Sequence, residues 1–353
     1  MNAQQSFLYM FLEPVRKYLA DDSITEILVN GAKQIFVERH GKLLEVPETF
    51  SSEATLMDAV INISHYVNLL LNEKNPILDA RLSDGSRVHV VIPPLSRVGT
   101  VIVIRKIFKE KLSAEQLLEY GCVSAEMLAL IRMIVQLRKN IIVSGATSSG
   151  KMSVLNILSS FMGNDERILV LEDDSELQLQ QKHLVYLETR KPDRNGEGEI
   201  TLRNLIAAAL RLRPDRLVID EIRGGEVLVL LQALNTGHVG YMSTIYANTA
   251  KDALSRLETC ALLSGIDIPL VALRSQVASA VDVVVHTARL ADGSRKIVEV
   301  SEVLPLQGGR YETCELMGWR MTGKRPDGRL VGEFVKLADP GFADEARLAG
   351  LEW

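Results

Sequence analysis

The stretch that most limits what this chain can fold into is Ile141 to Lys151, IIVSGATSSGK. An apolar, β-branched run reads as a buried strand. Gly145 to Lys151 then fits G-x-x-x-x-G-K, a loop whose backbone amides cradle phosphate ahead of a helix. Gly145 and Gly150 let the backbone curl tightly, with Ala146, Thr147, Ser148 and Ser149 between them. Lys151 sets a cation against the β and γ oxygens, and Met152 and Ser153 open the helix whose positive N-terminal end faces the same anion. Residues 145–153 are therefore expected to bind the phosphates of ATP. The pattern asks for Ser or Thr after the lysine as an oxygen ligand for Mg²⁺, and here Met152 stands instead. A soft thioether does not replace that oxygen, and Ser153 is turned about 100° further round the helix. Nucleotide binding is expected to survive, and Mg²⁺ placement to suffer.

At 353 residues the chain has room for two domains with their own cores. Forty basic against 45 acidic residues give a net charge of -5, so no global attraction to nucleic acid or to an anionic membrane is expected. Cys122, Cys260 and Cys314 lie far apart, without a second Cys or His at metal spacing, which argues against disulfides and zinc and for a reducing compartment. The N-terminal stretch MNAQQSFLYMFLEPVRKYL has no basic n-region, and no uncharged run nears 18 residues, so neither export nor membrane spanning is expected.

Along the chain, Phe7, Phe11, Val15 and Leu19 recur at helical spacing. Strand-like pieces follow, with turn signals at Asn30-Gly31 and His40-Gly41, and then helical spacing over residues 51–71. An Asp84-Gly85 turn lies between Arg81 and Arg87, and TVIVIRKIF brings Arg105 to the end of a further strand. This reads as a small α+β domain over residues 1–108. The charged segment 109–118 reads as a linker, and an α/β domain over 119–353 alternates strands with helices around a largely parallel sheet.

Within that domain, RLVIDEIR delivers Asp220 and Glu221 at a strand end about 70 residues after the loop. Carboxylates placed there orient an attacking water and hold Mg²⁺; Glu221 suits the first role, and Asp220 with Glu221 the second. Glu172, Asp173, Asp174 and Glu176 crowd the end of RILVLED and need a cation or arginines nearby. In NTGHVGYMSTIYAN, His238 sits between Gly237 and Gly240, either as a phosphate contact or as a turn residue. The tail from Arg310 is polar and glycine-rich, with Trp319, Phe334, Phe342 and Trp353 expected as local core.

Four boxes in order, GATSSGK, LEDDSELQL, LRPDRLVIDEIRGGE and NTGHVGYMSTIYAN, make the chain resemble the secretion and type IV pilus ATPase superfamily. PILDARLSDGSRVHVVIPPL, HLVYLETR, DALSRLET and RSQVASAVDVVVHTARLADGSRKI resemble its tight-adherence (Flp) pilus branch, the CpaF/TadA-like ATPases. The resemblance implies an α/β fold with a C-terminal P-loop (RecA-like) ATPase domain and a smaller α+β N-terminal domain. It also implies a homohexameric cytoplasmic ring at the inner face of the cytoplasmic membrane, associated peripherally through inner-membrane platform proteins. Its cofactors would be ATP and Mg²⁺; Arg81, Arg87 and Arg105 would be candidates to reach the nucleotide, and Glu172 and His238 would support the site around Glu221. Three positions depart from the branch: Met152, Asp220 in place of a glycine, and Tyr246 where TIHAN would supply histidine. Asp220 is expected to add a carboxylate near the metal. Two other readings are a degenerate nucleotide-binding ring subunit with little hydrolysis, and a conjugation or type IV secretion channel ATPase.

Overall fold

Short alternating segments in the first third of the chain pair into an antiparallel sheet. Its strands are β1 (Ile24–Asn30), β2 (Ile35–Arg39), β3 (Lys42–Val46), β4 (Ile77–Arg81), β5 (Arg87–Val91) and β6 (Val101–Arg105), in the order β3-β2-β1-β6-β5-β4. The computed structural model describes residues 11–39, 42–82, 84–106, 112–192 and 196–351. Its chain divides into two compact units at residues 111/112, with 192–197 grouped with the first.

In the first unit Pro14 opens a short 3-10 turn, Glu13–Val15, ahead of α1 (Arg16–Ala20), so the continuous helix expected up to residue 20 is broken. Phe7 and the His40-Gly41 turn lie outside the described residues. Asn30-Gly31 does open a hairpin, but its loop runs over residues 31–34 rather than two residues. Gly31, at φ +68°, is required there, because a Cβ would lie 2.3 Å from the Val98 carbonyl oxygen. Helix α2 (Glu53–Tyr66) is capped by Ser52 and stops before the expected residue 71, where Asn68 turns left-handed at φ 56°. Its Leu56, Val60 and Ile63 close the core over Ile27, Val29, Ile102 and Ile104.

The second unit contains α3 (Ala114–Glu119), α4 (Ala125–Gln136), β7 (Ile141–Gly145), α5 (Lys151–Ser159), β8 (Ile168–Glu172) and β9 (Leu184–Glu188). It continues through α6 (Leu202–Ala209), β10 (Arg216–Glu221), α7 (Glu226–Leu234), β11 (Tyr241–Tyr246), α8 (Ala250–Leu262), α9 (Leu270–Ala280) and β12 (Val283–Arg289). It ends with β13 (Arg295–Gln307), β14 (Arg310–Lys324), β15 (Leu330–Lys336) and α10 (Ala343–Leu348). The strands order β15-β14-β13-β12-β7-β11-β10-β8-β9, parallel from β12 to β9 and antiparallel from β12 to β15. Two cores flank this sheet, and strand residues alternate between them. Ile141, Val143 and Val218 join α4 and α5 in one core; Ile142, Leu217 and Ile219 join α6, α7 and α8 in the other. Central strands buried on both sides explain the uninterrupted apolar runs.

The segment read as a linker, 109–118, differs at its C-terminal end. Ser113 makes a capping box with Gln116, and Ala114 and Leu117 of α3 are buried in the second unit's core. The polar tail adds β14 and β15 to the edge of the sheet, and Ala346 of α10 is buried in the core shared with α4 and α5. Phe342 is buried in the core and Phe334 packs against it, while Trp353 lies outside the described residues.

Candidate functional site

Parallel register brings the carboxyl ends of β12, β7 and β11 side by side, pairing Thr287 with Gly145 and Gly145 with Tyr246. The loop after β7 therefore leaves the sheet at its centre, where chains turn to opposite faces and ligands gather. Gly145 has φ 156°, and a Cβ there would lie 2.4 Å from both Ser149 Oγ and the Thr287 carbonyl. Ser148 and Gly150 are left-handed, at φ 59° and 98°. Gly150 thereby caps α5 without a side chain, leaving the helix N-terminus open. Among the described residues no acceptor takes the amides of Thr147, Ser148 or Gly150. This curled backbone fits a phosphate.

Lys151 lies within the loop. Its Nζ donates to the carbonyls of Gly145 at 3.0 Å and Ala146 at 2.9 Å and sits 3.7 Å from the centre of the Tyr246 ring. Burial lowers its pKa to about 8 against the opposing pull of Glu221. The ammonium form still predominates at neutral pH.

The loop is held from the β12 side by residues that sequence motifs did not single out. Ser149 Oγ meets Thr287 Oγ1 at 2.8 Å, and the threonine hydroxyl lies 3.1 Å from the Ser144 carbonyl. His286 Nδ1 lies 2.8 Å from Ser144 Oγ, and burial lowers the histidine's pKa. From β13, Arg295 Nε donates to the Ser148 carbonyl at 2.9 Å, its stem passing beside Gly150. The signal available in sequence was weak: polar residues, His286 and Thr287, ending an apolar run.

The acidic residues divide by role. Glu221, at the end of β10, is part-buried, and among the described residues its carboxylate takes no hydrogen bond. Burial raises its pKa, opposed by Arg223 and Lys151. Asp220 is committed elsewhere: Oδ2 accepts from the Asp173 amide at 2.8 Å, Oδ1 from the Glu221 amide at 2.6 Å. Burial pushes its pKa up to about 7 despite those bonds. It ties the acidic segment to β10 instead of standing open for a metal. Glu172 is buried likewise, with Oε1 accepting from the amides of Glu176 at 2.7 Å and Leu177 at 2.6 Å. Asp173 pairs with Arg223 and with the Thr189 hydroxyl. The acidic crowding is thus relieved by amides, a hydroxyl and an arginine.

No cluster of three or more acidic, His or Cys side chains fit for a metal occurs among the described residues. Met152, in the first turn of α5, packs half-buried against the core, and Ser153, one residue on, is half-buried too. The donor set therefore fits a Mg²⁺ carried on nucleotide phosphates, with Glu221 as the open carboxylate, and not one held by protein alone.

His238 is not brought to this site. It precedes β11, at the amino end of a strand whose carboxyl end meets the loop, and its Nδ1 lies 3.1 Å from the Ala233 carbonyl. Arg81, Arg87 and Arg105 belong to the first unit, where register places them side by side on β4, β5 and β6. Arg105 Nε donates to Glu26 Oε1 at 2.5 Å. A cavity of about 480 Å³ adjoins the phosphate loop, lined by Ala146, Thr147, Tyr246, Asn248, Asp252 and Arg256 among others.

Known proteins share this organisation. Residues 11–325 match the family described as Type II/IV secretion system protein. A Mycobacterium tuberculosis protein described as "putative conjugal transfer protein" is 33% identical over 341 residues, covering 95% of this chain and 90% of that one. The type IV secretion system protein VirB11 of Bartonella henselae is 28% identical over 327 residues, covering 82% and 91%. In fold, the chain is similar to the Legionella pneumophila ATPase DotB, with a TM-score of 0.57 at 17% identity, covering 83% of this chain and 80% of that one. With its phosphate loop, its two acidic strand ends and a family match spanning most of its length, the chain belongs to the Type II/IV secretion system protein family.

Proposed function

We propose that this chain is an ATP hydrolase that drives a secretion or transfer apparatus. The observation that carries this reading is the pairing of Lys151, held inside an open phosphate loop, with Glu221, an uncommitted carboxylate coupled to it electrostatically. Lys151 and the loop amides hold the phosphates. Glu221, its pKa raised by burial, orients the attacking water and accepts its proton more readily than an ordinary carboxylate. Asp220 and Glu172 keep the acidic segment and β10 in register with the loop. Mg²⁺ bound with the nucleotide would neutralise phosphate charge, with Glu221 the residue placed to meet it.

At the finer level, the names of the relatives favour a transfer or type IV secretion machine, whereas the Flp-type pilus reading rests on the sequence segments that suggested it. A homohexameric ring acting on inner-membrane platform proteins, with arginines of the first unit reaching the nucleotide, completes the proposal. Domain limits of 1–108 and 119–353 belong to it, amended by the burial of α3 in the second unit. No helix among the described residues is long and apolar enough to cross a membrane.

Turnover of ATP by the purified chain, compared with Glu221→Gln, tests the reading. Loss of at least tenfold in the variant is expected; equal rates would instead favour a nucleotide-binding subunit without hydrolysis, the alternative that Met152 keeps open. Deleting the chain from its host and scoring surface pili against transfer of protein or DNA separates the two finer readings.

A further inference from the structure

We propose that Tyr246 is a positioning residue for Lys151: its ring face holds the ammonium in the phosphate loop, and nucleotide affinity depends on that ring's negative face. The inference rests on the nucleotide reading above and deepens it.

Three contacts converge on Lys151 Nζ. The carbonyls of Gly145 and Ala146 hold two of its hydrogens from one side, at 3.0 and 2.9 Å. The Tyr246 ring covers it from β11, with the centroid 3.7 Å away, well inside the roughly 6 Å over which a ring quadrupole attracts a cation. The register that pairs Tyr246 with Gly145 forces the arrangement, because the tyrosine ends its strand beside the residue that begins the loop. Tyr246 is 41% exposed whereas Lys151 is 7% exposed, so the ring forms the boundary between the lysine and the cavity over α8.

A lysine side chain has much rotamer freedom to lose, and the ring closes the approach to the cavity that the two carbonyls leave uncovered. An incoming phosphate replaces the carbonyls as acceptor, while the ring, whose attraction is not directional as a hydrogen bond is, stays in contact. The lysine is thus oriented before nucleotide arrives, and part of the ordering cost of binding is already met. Charged groups facing this region are Glu221 from β10, His286 from β12, and Asp252 and Arg256 from α8. None of them supplies a surface that covers the ammonium as the ring does.

The test replaces Tyr246 by phenylalanine and by its mono-, di- and trifluorinated forms, which change the ring's size little but weaken its negative face stepwise. Equilibrium titration of the full chain with fluorescently labelled ADP reads the effect, with thermal melting as the check on folding. Tyr246→Phe is expected to bind within about twofold of the unchanged chain. Affinity should then fall with each fluorine, and Tyr246→Met, apolar without a ring, should lose roughly 2- to 30-fold. A flat fluorine series overturns the inference, since packing alone would not follow the ring's charge distribution. If the unchanged chain binds no labelled ADP, the nucleotide reading itself falls, and the inference with it.

Discussion

Met152 and Glu172 show how burial decides what side chains do at positions that look functional in sequence. Met152 occupies the position from which a hydroxyl would reach Mg²⁺, yet from the first turn of α5 it packs against the core. Met152→Thr is expected to raise ATP turnover by supplying a hard oxygen, and to cost about 1 kcal/mol of stability through lost apolar packing. Paired turnover and melting measurements would expose both effects; unchanged turnover would mean that the thioether does not limit the reaction. Glu172 is buried, and its pKa is raised from 4.5 to about 7. The folded chain therefore holds this proton where the unfolded chain has released it. Its contribution to stability is fully present below pH 4.5 and is lost as pH rises toward 7. Glu172→Gln keeps an acceptor for the Glu176 and Leu177 amides and removes the titration. Stability of the second unit should then fall less steeply across that window, by up to about 1.4 kcal/mol per pH unit, as read by chemical denaturation at a series of pH values.

Among elements, β12 matters more than its sequence suggests. Thr287 and His286 brace a loop some 140 residues earlier, because β12 lies beside β7 in the sheet. Thr287→Val keeps the shape but leaves the Ser149 hydroxyl and the Ser144 carbonyl without their partner. A loss of roughly 1–3 kcal/mol in stability is expected, together with weaker binding of labelled ADP. Strand direction makes the opposite prediction for His238. It stands at the amino end of β11, one strand length from the loop, so His238→Ala should leave the affinity of the isolated chain for labelled ADP within about twofold. A larger change in titration would place this histidine in the phosphate site after all.

The whole molecule has separable cores. The first unit's cluster runs from Leu12 to Ile104, and the two clusters of the second begin at Ala114 and Ile142. Each core is thus built from its own stretch of chain, and residues 112–353 expressed alone should melt cooperatively and bind labelled ADP. Absence of a cooperative transition would show that the second unit depends on the first. At this scale the sequence alone determined the phosphate loop, the alternation of strands with helices and the change of character near residue 110. Those features depend on contiguous residues: a glycine spacing, an apolar period, a shift in composition. Only the tertiary structure decided that Asp220 braces a neighbouring segment, that His238 lies away from the loop, and that Thr287 and Arg295 hold it. It also decided that Tyr246 covers Lys151. Strand order and register set these outcomes, and both arise from pairing between residues far apart in the chain, where no local pattern distinguishes one neighbour from another.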